Sequence, residues 1–264
     1  MKKMVFAIAA LSLSAFSASA ADMAVKAQPI MVAPAPVYSW SGFYLGVVGT
    51  GGVMGSEHAD QWCDVTCSTP VQRAWGGGVG GTAGYNWQSG HVLYGIEGDY
   101  SWVNFKTDHV VPGYYPCTEC GYNSGSTTGA KWDWYATLRG RMGLVVDDTM
   151  AYVTGGVAWA GTKYHSYYTN QSGQFDGGFG DVNSTRFGFA AGAGVEHKFT
   201  PNWSLKAEYL YVGLEQAKST PYVNCLGCTT NNIQDFMTHR SDAHFARIGL
   251  NYALYGVGPI SARY

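Results

Sequence analysis

The sequence predicts an all-β protein: an eight-stranded antiparallel up-and-down transmembrane β-barrel, preceded by a cleaved signal peptide and a Pro-rich tether. From residue 41 onward, apolar residues alternate with small or polar ones, which is the period of a β-strand. Long and short connections between these stretches alternate along the chain, as in barrels that cross a membrane. Charged residues make up only 13% of the chain and aromatic residues 15%, a composition that suits a surface in contact with lipid better than one in water.

Residues 1–20 have the organisation of a secretory signal peptide. Lys2 and Lys3 precede a short apolar run from Val5 to Phe16, and Ala18-Ser19-Ala20 supplies a small-x-small cleavage site. A structural helix is the alternative, but the length and the flanks of the segment argue against it. No stretch of eighteen or more apolar residues follows, so the sequence predicts no transmembrane helix.

Residues 21–40 are predicted to form a periplasmic tether. Pro29, Pro34 and Pro36 make this segment too rich in proline for a helix, and it lacks the alternation of a strand. Removal of the signal peptide takes away two lysines and changes the formal charge of the chain from −2 to −4. Because the mature chain is not basic, nucleic acid is not an expected partner.

Eight stretches of about fourteen residues carry the strand alternation. They are residues 41–53, 74–88, 92–106, 131–146, 149–162, 184–199, 203–217 and 241–254. The barrel is therefore assigned to residues 41–254, and residues 255–264 form a short C-terminal tail.

The connections sort by length into two groups. Three have tight-turn compositions: residues 89–91, 147–148 and 200–202. Four are long and rich in Gly, Ser, Thr, Asn and Tyr: residues 54–73, 107–130, 163–183 and 218–240. In a meander, each group lies at one end of the sheet, which predicts extracellular long loops and periplasmic turns and termini in a bacterial outer membrane. The sheet must close, because unpaired edges cannot be solvated in lipid.

The stretch KWDWYATLRGRMGLVV at residues 131–146 fixes which face looks outward. One face carries Trp132 and Trp134, and the other carries Asp133, Arg139 and Arg141. An arginine facing lipid near the bilayer midplane costs about 2–4 kcal/mol. The charged face is therefore predicted to line the interior, and the tryptophans to face lipid.

The same division of the other strands predicts a charge-balanced interior. The predicted interior acids are Glu97, Asp99, Asp133, Glu196 and Glu208, and the predicted interior bases are Arg139, Arg141, Arg186, Lys206 and Arg247. An eight-stranded barrel is only wide enough for its own side chains, so these charges are expected to pair and to plug the lumen. Hairpin geometry suggests that Glu196 pairs with Lys206, and that Glu97 pairs with Arg139 and Arg141. The alternative is that the charges only solvate a watery interior.

Eleven aromatic side chains are predicted to face lipid, because they alternate with the charged positions or lie on the apolar face of a strand. They are Tyr94, Tyr100, Trp102, Trp132, Trp134, Phe187, Phe189, Trp203, Tyr209, Tyr211 and Tyr252.

The six cysteines occur in three close pairs, each inside a different long loop. The pairs are Cys63 with Cys67, Cys117 with Cys120, and Cys225 with Cys228. An even count in an oxidising compartment predicts disulfides, and such short rings stabilise by only about 2 kcal/mol each. A metal site built from two of the pairs is the alternative, but no metal site is assigned.

The histidines divide between the two ends of the barrel. His58, His109, His165, His239 and His244 are expected near the loop end, with His91 and His197 at the turn end. Histidines on surface loops usually ligate nothing, so no cofactor is predicted. A haem or metal cluster of loop histidines remains the alternative.

Four segments resemble the small OmpA-like outer-membrane β-barrel (porin-family) proteins of Gram-negative bacteria. They are VYSWSGFYLGVVGTGG at 37–52, GRMGLVVDDTMAYVTGGVAW at 140–159, GFAAGAGVEHKFTPNWSLKAEYLYV at 188–212 and FARIGLNY at 245–252. The resemblance implies a monomeric eight-stranded barrel with a structural, surface-antigen or porin-like role, and some relatives are described as haem-binding or adhesive. Such barrels usually end on an aromatic residue that the insertion machinery reads, which here is Tyr252 or Tyr264.

The leading functional prediction is a structural, surface-exposed outer-membrane barrel with a plugged lumen and long extracellular loops. A narrow porin-like channel and loop-mediated binding of haem or a host surface are the alternatives. An enzyme is not predicted, because no Ser-His-acid arrangement is apparent. The expected partners are outer-membrane lipid, the barrel-insertion machinery during assembly and an extracellular ligand or host surface.

Overall fold

The computed structural model describes residues 39–60, 71–111, 125–169, 175–219, 222–223, 233–234 and 237–254. The strands are β1 Gly42–Asp60, β2 Gln72–Ser89, β3 Val92–Val111, β4 Gly125–Val146, β5 Thr149–Thr169, β6 Phe175–Lys198, β7 Trp203–Leu214, β8 Ala217–Ser219, β9 Tyr222–Val223, β10 Ile233–Gln234 and β11 Met237–Ala253. No helix in the described ranges has the length and apolar character needed to span a membrane.

Eight strands close into an antiparallel barrel, as predicted. Their order is β1-β2-β3-β4-β5-β6-β7-β11, and β1 also pairs with β11. The closing register places Thr50 opposite Arg247. Of the three short strands, β8 pairs with β11, whereas β9 and β10 form a separate two-stranded ribbon.

The alternation of side chains on β7 illustrates why these sequences form the wall. Ser204, Lys206 and Glu208 are buried inside, whereas Leu205 and Tyr209 are half exposed on the outer face. Successive side chains of a strand point to opposite faces, so the polar residues are hidden and the apolar ones displayed. This arrangement is the reverse of a soluble barrel and matches the predicted register.

The predicted tight turns join β2 to β3, β4 to β5, and β6 to β7. Gly90 and Asp147 adopt left-handed backbone conformations in the first two turns, with φ of 61° and 53°. Gly and Asp are among the residues that tolerate this conformation, which two-residue hairpins of primed type require.

The strands extend beyond their predicted limits toward the loop end. β4 begins at Gly125 instead of residue 131, β5 ends at Thr169 instead of residue 162, and β6 begins at Phe175 instead of residue 184. These extensions are rich in Gly, Ser, Thr and Tyr, so they lack the apolar alternation of a lipid-facing strand. Their backbone groups nevertheless pair with neighbouring strands, because backbone hydrogen bonding does not require apolar alternation.

A bulge in β4 overturns two sequence predictions. Trp132 pairs with Thr162 and Trp134 with Gly161, so Asp133 is an extra residue relative to β5. A bulge adds one residue and reverses the alternation beyond it. Trp132, predicted to face lipid, is therefore fully buried inside, and Asp133, predicted to lie inside, is partly exposed on the outer wall.

Strand β7 is shorter than both of its neighbours. Its pairing with β6 stops at Leu214 opposite Gly188, whereas β6 continues to pair with β5 as far as Phe175. Gly188 permits this close approach, because a Cβ there would fall 2.1 Å from the carbonyl oxygen of Gly213. Beyond Gly188, the described part of β6 has a strand partner on only one side.

Candidate functional site in the barrel interior

The interior is layered along the barrel axis. Starting from the tight turns, β3 contributes in succession Leu93, then Glu97 and Asp99, then Val103 and Phe105. We call the three levels the turn-end cluster, the ionic layer and the aromatic layer. The turn-end cluster consists of Trp40, Leu93, Val145, Met150 and Tyr152.

Eight charged residues form the ionic layer. They are Glu97, Asp99, Arg139, Arg141, Glu196, Lys206, Glu208 and Arg247, and each is buried. Four are acids and four are bases, so the layer has no formal net charge.

Glu97 lies at the centre of one half of the ionic layer. Its carboxylate accepts from Lys206 Nζ at 2.8 Å and from Arg139 Nη2 at 2.7 Å, and lies 3.4 Å from Arg141 Nη1. The Tyr44 hydroxyl donates a further hydrogen bond at 2.8 Å. A buried carboxylate with this many donors is held in one position.

The other half of the layer connects Asp99 and Glu208 through two arginines. Arg247 lies 3.0 Å from Asp99 and 2.8 Å from Glu208, and Arg139 lies 3.0 Å from Asp99 and 3.2 Å from Glu208. Each acid therefore contacts both bases, and the four charges pair with one another in a closed ring.

Glu196 completes the ionic layer toward the turn end. It lies 3.2 Å from Arg141 Nη1 and accepts from Asn251 Nδ2 at 2.7 Å and from the Ser204 hydroxyl at 2.5 Å. Its expected partner, Lys206, is level with it across the β6–β7 hairpin but extends to Glu97 instead. The interior is narrow enough for a long side chain to reach the opposite wall.

Two residues of the predicted set stand apart from the ionic layer. Asp133 lies on the outer wall, 2.6 Å from Lys131 Nζ and 2.9 Å from Lys163 Nζ. Arg186 is inside the barrel but nearer the loop end, where it donates to the Tyr164 hydroxyl at 3.2 Å. Eight of the ten predicted residues thus come together.

The aromatic layer was not anticipated from the sequence. Phe245 stacks on Tyr135 with ring centroids 4.8 Å apart, and its ring lies 5.5 Å from Phe105 and 6.4 Å from Trp132. Phe105 shares the inward alternation of Asp99, and Phe245 shares that of Arg247, so strand parity contained the signal for these two. Strand parity gave the wrong face for Trp132, because the bulge reverses the alternation there.

Trp40 and Lys198 close the interior at the turn end, and neither was singled out in the sequence. Lys198 Nζ donates to the carbonyl of Ser39 at 2.6 Å and lies 4.7 Å from the centre of the Trp40 ring. The Trp40 amide donates to Gln88 Oε1 at 2.8 Å. The residues just before β1 are therefore fixed against the end of the barrel.

Ten of the eleven predicted lipid-facing aromatics lie on the outer face, Trp132 being the exception. They gather at two levels, exemplified by Trp203 with Tyr252 and by Tyr100 with Trp134. On β3, Tyr94 and Trp102 are eight residues apart, which is about 27 Å along the strand and about 20 Å along the axis for a tilt of about 40°. This spacing is close to that of an apolar band about 25 Å tall.

The six cysteines predicted to form disulfides, Cys63, Cys67, Cys117, Cys120, Cys225 and Cys228, lie outside the described residues. His165 lies 3.2 Å from Asp108, and His244 Nδ1 lies 2.6 Å from the Tyr209 hydroxyl. His197 Nδ1 lies 2.9 Å from the Thr149 hydroxyl, and His239 stacks on the Tyr164 ring. Within the described ranges, no group of three or more His, Cys, Asp or Glu residues is arranged to hold a metal ion.

Comparisons with known proteins point to one family. The family model described as "Outer membrane protein beta-barrel domain" matches residues 8–254. The chain is 30% identical over 263 residues to the 31 kDa outer-membrane immunogenic protein of Brucella melitensis, covering 96% of this chain and 99% of the relative. It is 32% identical over 176 residues to the 22 kDa outer membrane protein of Rhizobium leguminosarum bv. viciae, covering 67% of this chain and 65% of the relative.

Solved structures with a similar outline include Neisserial surface protein A, at 13% identity and a TM-score of 0.35, covering 81% of this chain and 98% of the neighbour. The outer membrane protease OmpT from Escherichia coli aligns at 8% identity and a TM-score of 0.46, covering 82% and 98%. These similarities are low, so the family assignment comes from the sequence matches.

Proposed function

Because this chain belongs to the outer-membrane β-barrel protein family and is a bacterial outer-membrane protein, we propose that it is a structural, surface-exposed barrel whose interior is closed to solutes. The long connections face the cell exterior, and the tight turns and termini face the periplasm. The observation that carries this proposal is the pairing of a charge-balanced ionic layer with an aromatic layer above it.

The ionic layer supports closure because its members are bound to one another. Arg139, for example, lies within 3.2 Å of three carboxylates, those of Glu97, Asp99 and Glu208. A solute or water path would have to separate buried ion pairs, and leaving one buried charge without its partner costs about 3–5 kcal/mol.

The aromatic layer adds a second obstruction that moving the ion pairs would not remove. The aromatic layer fills the interior next to the ionic layer. All four of its side chains are fully buried: Phe105, Trp132, Tyr135 and Phe245. Packed aromatic side chains at the density of a protein interior leave no room for a water path. A channel would require both layers to rearrange together.

A role at the cell surface is supported by the names of the relatives. The proteins of Brucella melitensis and Brucella abortus are called outer-membrane immunogenic proteins, which is said of those proteins. For this chain we propose the same exposure, with monomeric barrels, outer-membrane lipid around the aromatic face and the barrel-insertion machinery as a partner during assembly. Disulfides between the cysteines of each close pair would stiffen the exposed loops.

We propose no catalytic role. The buried carboxylates and cations of the ionic layer are engaged with one another, so none of them is positioned as a nucleophile or base toward an accessible substrate. Binding of haem or a host surface would belong to the long connections, whose cysteines and tips lie outside the described residues.

Conductance measurements test the closed interior. Purified, folded protein is inserted into planar bilayers beside a large porin as a positive control, and inserted molecules are counted by an independent label. We expect insertion without steady conductance. A large, constant single-channel current from the wild-type barrel would refute a closed interior and favour the porin-like alternative.

Protease cleavage or antibody labelling of intact cells tests the surface exposure of the long connections.

A further inference from the structure

Arg186 is a buried cation outside the ionic layer. It is 6% exposed, and its guanidinium donates to the Tyr164 hydroxyl at 3.2 Å and to the carbonyl of His239 at 3.5 Å. It also lies 5.7 Å from the centre of the Tyr164 ring. No carboxylate of the described residues forms an ion pair with it, whereas each cation of the ionic layer contacts at least one. A buried charge without a counter-charge is expensive, so this position invites an anion from outside the chain.

The barrel wall has a gap beside this residue. Strand β7 ends at Leu214, and its last described partners are Gly188 on β6 and Asp242 on β11. Beyond that point, β8 pairs with β11 and does not pair with β6. Among the described residues, a single backbone hydrogen bond from Glu215 to the carbonyl of Phe187 bridges the two sides. No strand of the described ranges pairs with β6 on this side beyond Gly188, although the short strand β9 lies near β6. The hydrogen-bonded wall is therefore split between β6 and the β8–β11 pair.

A cavity of about 290 Å³ occupies this split. Its outward-facing lining includes Phe187, Phe189 and Tyr211, whereas Leu214 and Ser241 belong to the inward-facing alternation. Because residues of both faces line it, the cavity passes into the thickness of the wall. Its volume is close to the lower limit of ordinary ligand pockets, about 300 Å³.

Ser241 connects the cavity to the buried cation. Ser241 lines the cavity, and its hydroxyl lies 3.1 Å from the Tyr164 hydroxyl, which accepts the hydrogen bond from Arg186. Three strands thus bring a guanidinium and two hydroxyl groups together behind the inner lining of this cleft, and Ser241 is the residue that belongs to both the lining and the hydrogen-bonded group. Arginine combined with hydroxyl donors is well suited to carboxylate and phosphate groups.

We propose that this cleft is a lateral binding site for a single-chain amphiphile with an anionic head group. The acyl chain lies against Phe187, Phe189 and Tyr211, which belong to the aromatic girdle nearer the loop end. The head group reaches Arg186 through the split in the wall. Because the ligand is apolar over most of its length, it comes from the membrane and not through the barrel.

The rim of the cleft carries charges of both signs. Arg240 adds a cation, while Asp242 and Glu215 add carboxylates. Arg240 and Glu215 are exposed, and Asp242 is partly exposed and lies 3.5 Å from His244 Nε2. Exposed charges are screened by salt, so the buried guanidinium dominates the selection of the head group.

Displacement of a fluorescent probe tests the proposal. The folded barrel in a neutral alkyl-maltoside detergent is loaded with cis-parinaric acid at pH 8, and dodecanoate, dodecyl phosphate and dodecanol compete for the probe. For wild-type protein we expect at least one of the two anions to displace the probe at concentrations at least tenfold lower than the alcohol. The anion that displaces the probe at the lower concentration shows whether the site prefers a carboxylate or a phosphate head group.

Two variants locate the site. Arg186→Gln should weaken binding of the preferred anion at least tenfold and leave binding of dodecanol unchanged. The outer-wall variant Lys163→Gln is the control and should change the binding of neither ligand. Gly213→Leu places a side chain in the cleft beside Phe189 and should weaken all three ligands. Gel mobility before and after boiling confirms folding of each variant.

Equal affinity of wild type and Arg186→Gln for both anions would overturn the proposal, as would equal affinity of the wild type for anions and alcohol. Because Arg186 stands apart from the ionic layer, Arg186→Gln should also not lower the thermal transition. A loss of anion selectivity accompanied by a large loss of stability would instead indicate a structural role and would overturn the proposal. Bilayer conductance is independent of all of these outcomes.

Discussion

Lys206 reaches across the barrel to Glu97, with Nζ 2.8 Å from Oε2, although its neighbour in the β6–β7 hairpin is Glu196. The two residues are 109 positions apart in the chain. Their contact joins β3 to β7 through the interior, in addition to the backbone pairing around the wall. The ionic layer therefore ties opposite walls of the barrel together, and this has measurable consequences.

Glu97→Gln should lower the free energy of unfolding by about 3–5 kcal/mol, because it leaves Lys206, Arg139 and Arg141 with less counter-charge in a buried site. The temperature at which the folded form disappears from unboiled gels reports this loss. The matched control is Asp133→Asn on the outer wall, where the lysine partners are partly exposed and the expected change is below about 1 kcal/mol. Similar losses in the two variants would contradict the assignment of the ionic layer.

Reversing one pair of charges should restore little stability. Arg139→Glu places a third acid beside Asp99 and Glu208, and adding Glu97→Arg places a cation beside Arg141 and Lys206. Like charges in a low-dielectric interior repel strongly. The double variant should therefore remain close to the less stable single variant in thermal transition, and near-complete restoration would indicate an isolated pair.

Phe245→Ala should destabilise the barrel by about 3–5 kcal/mol, because it removes the ring that contacts Tyr135, Phe105 and Trp132. It should nevertheless remain non-conducting in planar bilayers, since the ionic layer is intact. Ile248→Ala, at an outward-facing position of the same strand, serves as a control because lipid can fill the space. Steady current from Phe245→Ala alone would show that the ionic layer does not obstruct the interior.

Fluorescence quenching by brominated lipids should distinguish Trp132 from Trp102. Trp102 is 62% exposed on the outer face, whereas Trp132 is completely buried inside. Trp102→Phe should therefore remove part of the quenchable emission in reconstituted bilayers, and Trp132→Phe should remove only emission that the lipids do not quench. Loss of quenchable emission in Trp132→Phe would place that side chain toward lipid and contradict the bulge.

Much of the architecture could be predicted from the sequence because it depends on local repetition. The alternation around Lys206 and Glu208 assigns each side chain to a face, since a strand has a period of two whatever its neighbours are. The tight turns at Gly90 and Asp147 are likewise local, because they depend on residues that accept a left-handed backbone. Nine of ten predicted interior charges and ten of eleven predicted lipid-facing aromatics lie on the expected face.

The misassigned residues share one cause. Trp132 and Asp133 exchange faces because β4 carries an extra residue relative to β5, and nothing in KWDWY distinguishes a bulge from continuous alternation. The register between two strands decides where a bulge is placed, and that register depends on both sequences at once.

The sequence by itself determined that eight amphipathic strands would close into a barrel and, away from the bulge in β4, which residues would face inward, because these outcomes follow from strand period and from the exclusion of charge from lipid. Only the tertiary structure decided which inward residues touch. Lys206 extends to Glu97 and not to Glu196, and Arg186 forms no ion pair with a carboxylate of the described residues. Such contacts depend on distances across a closed interior, and those distances exist only once all the strands are in place.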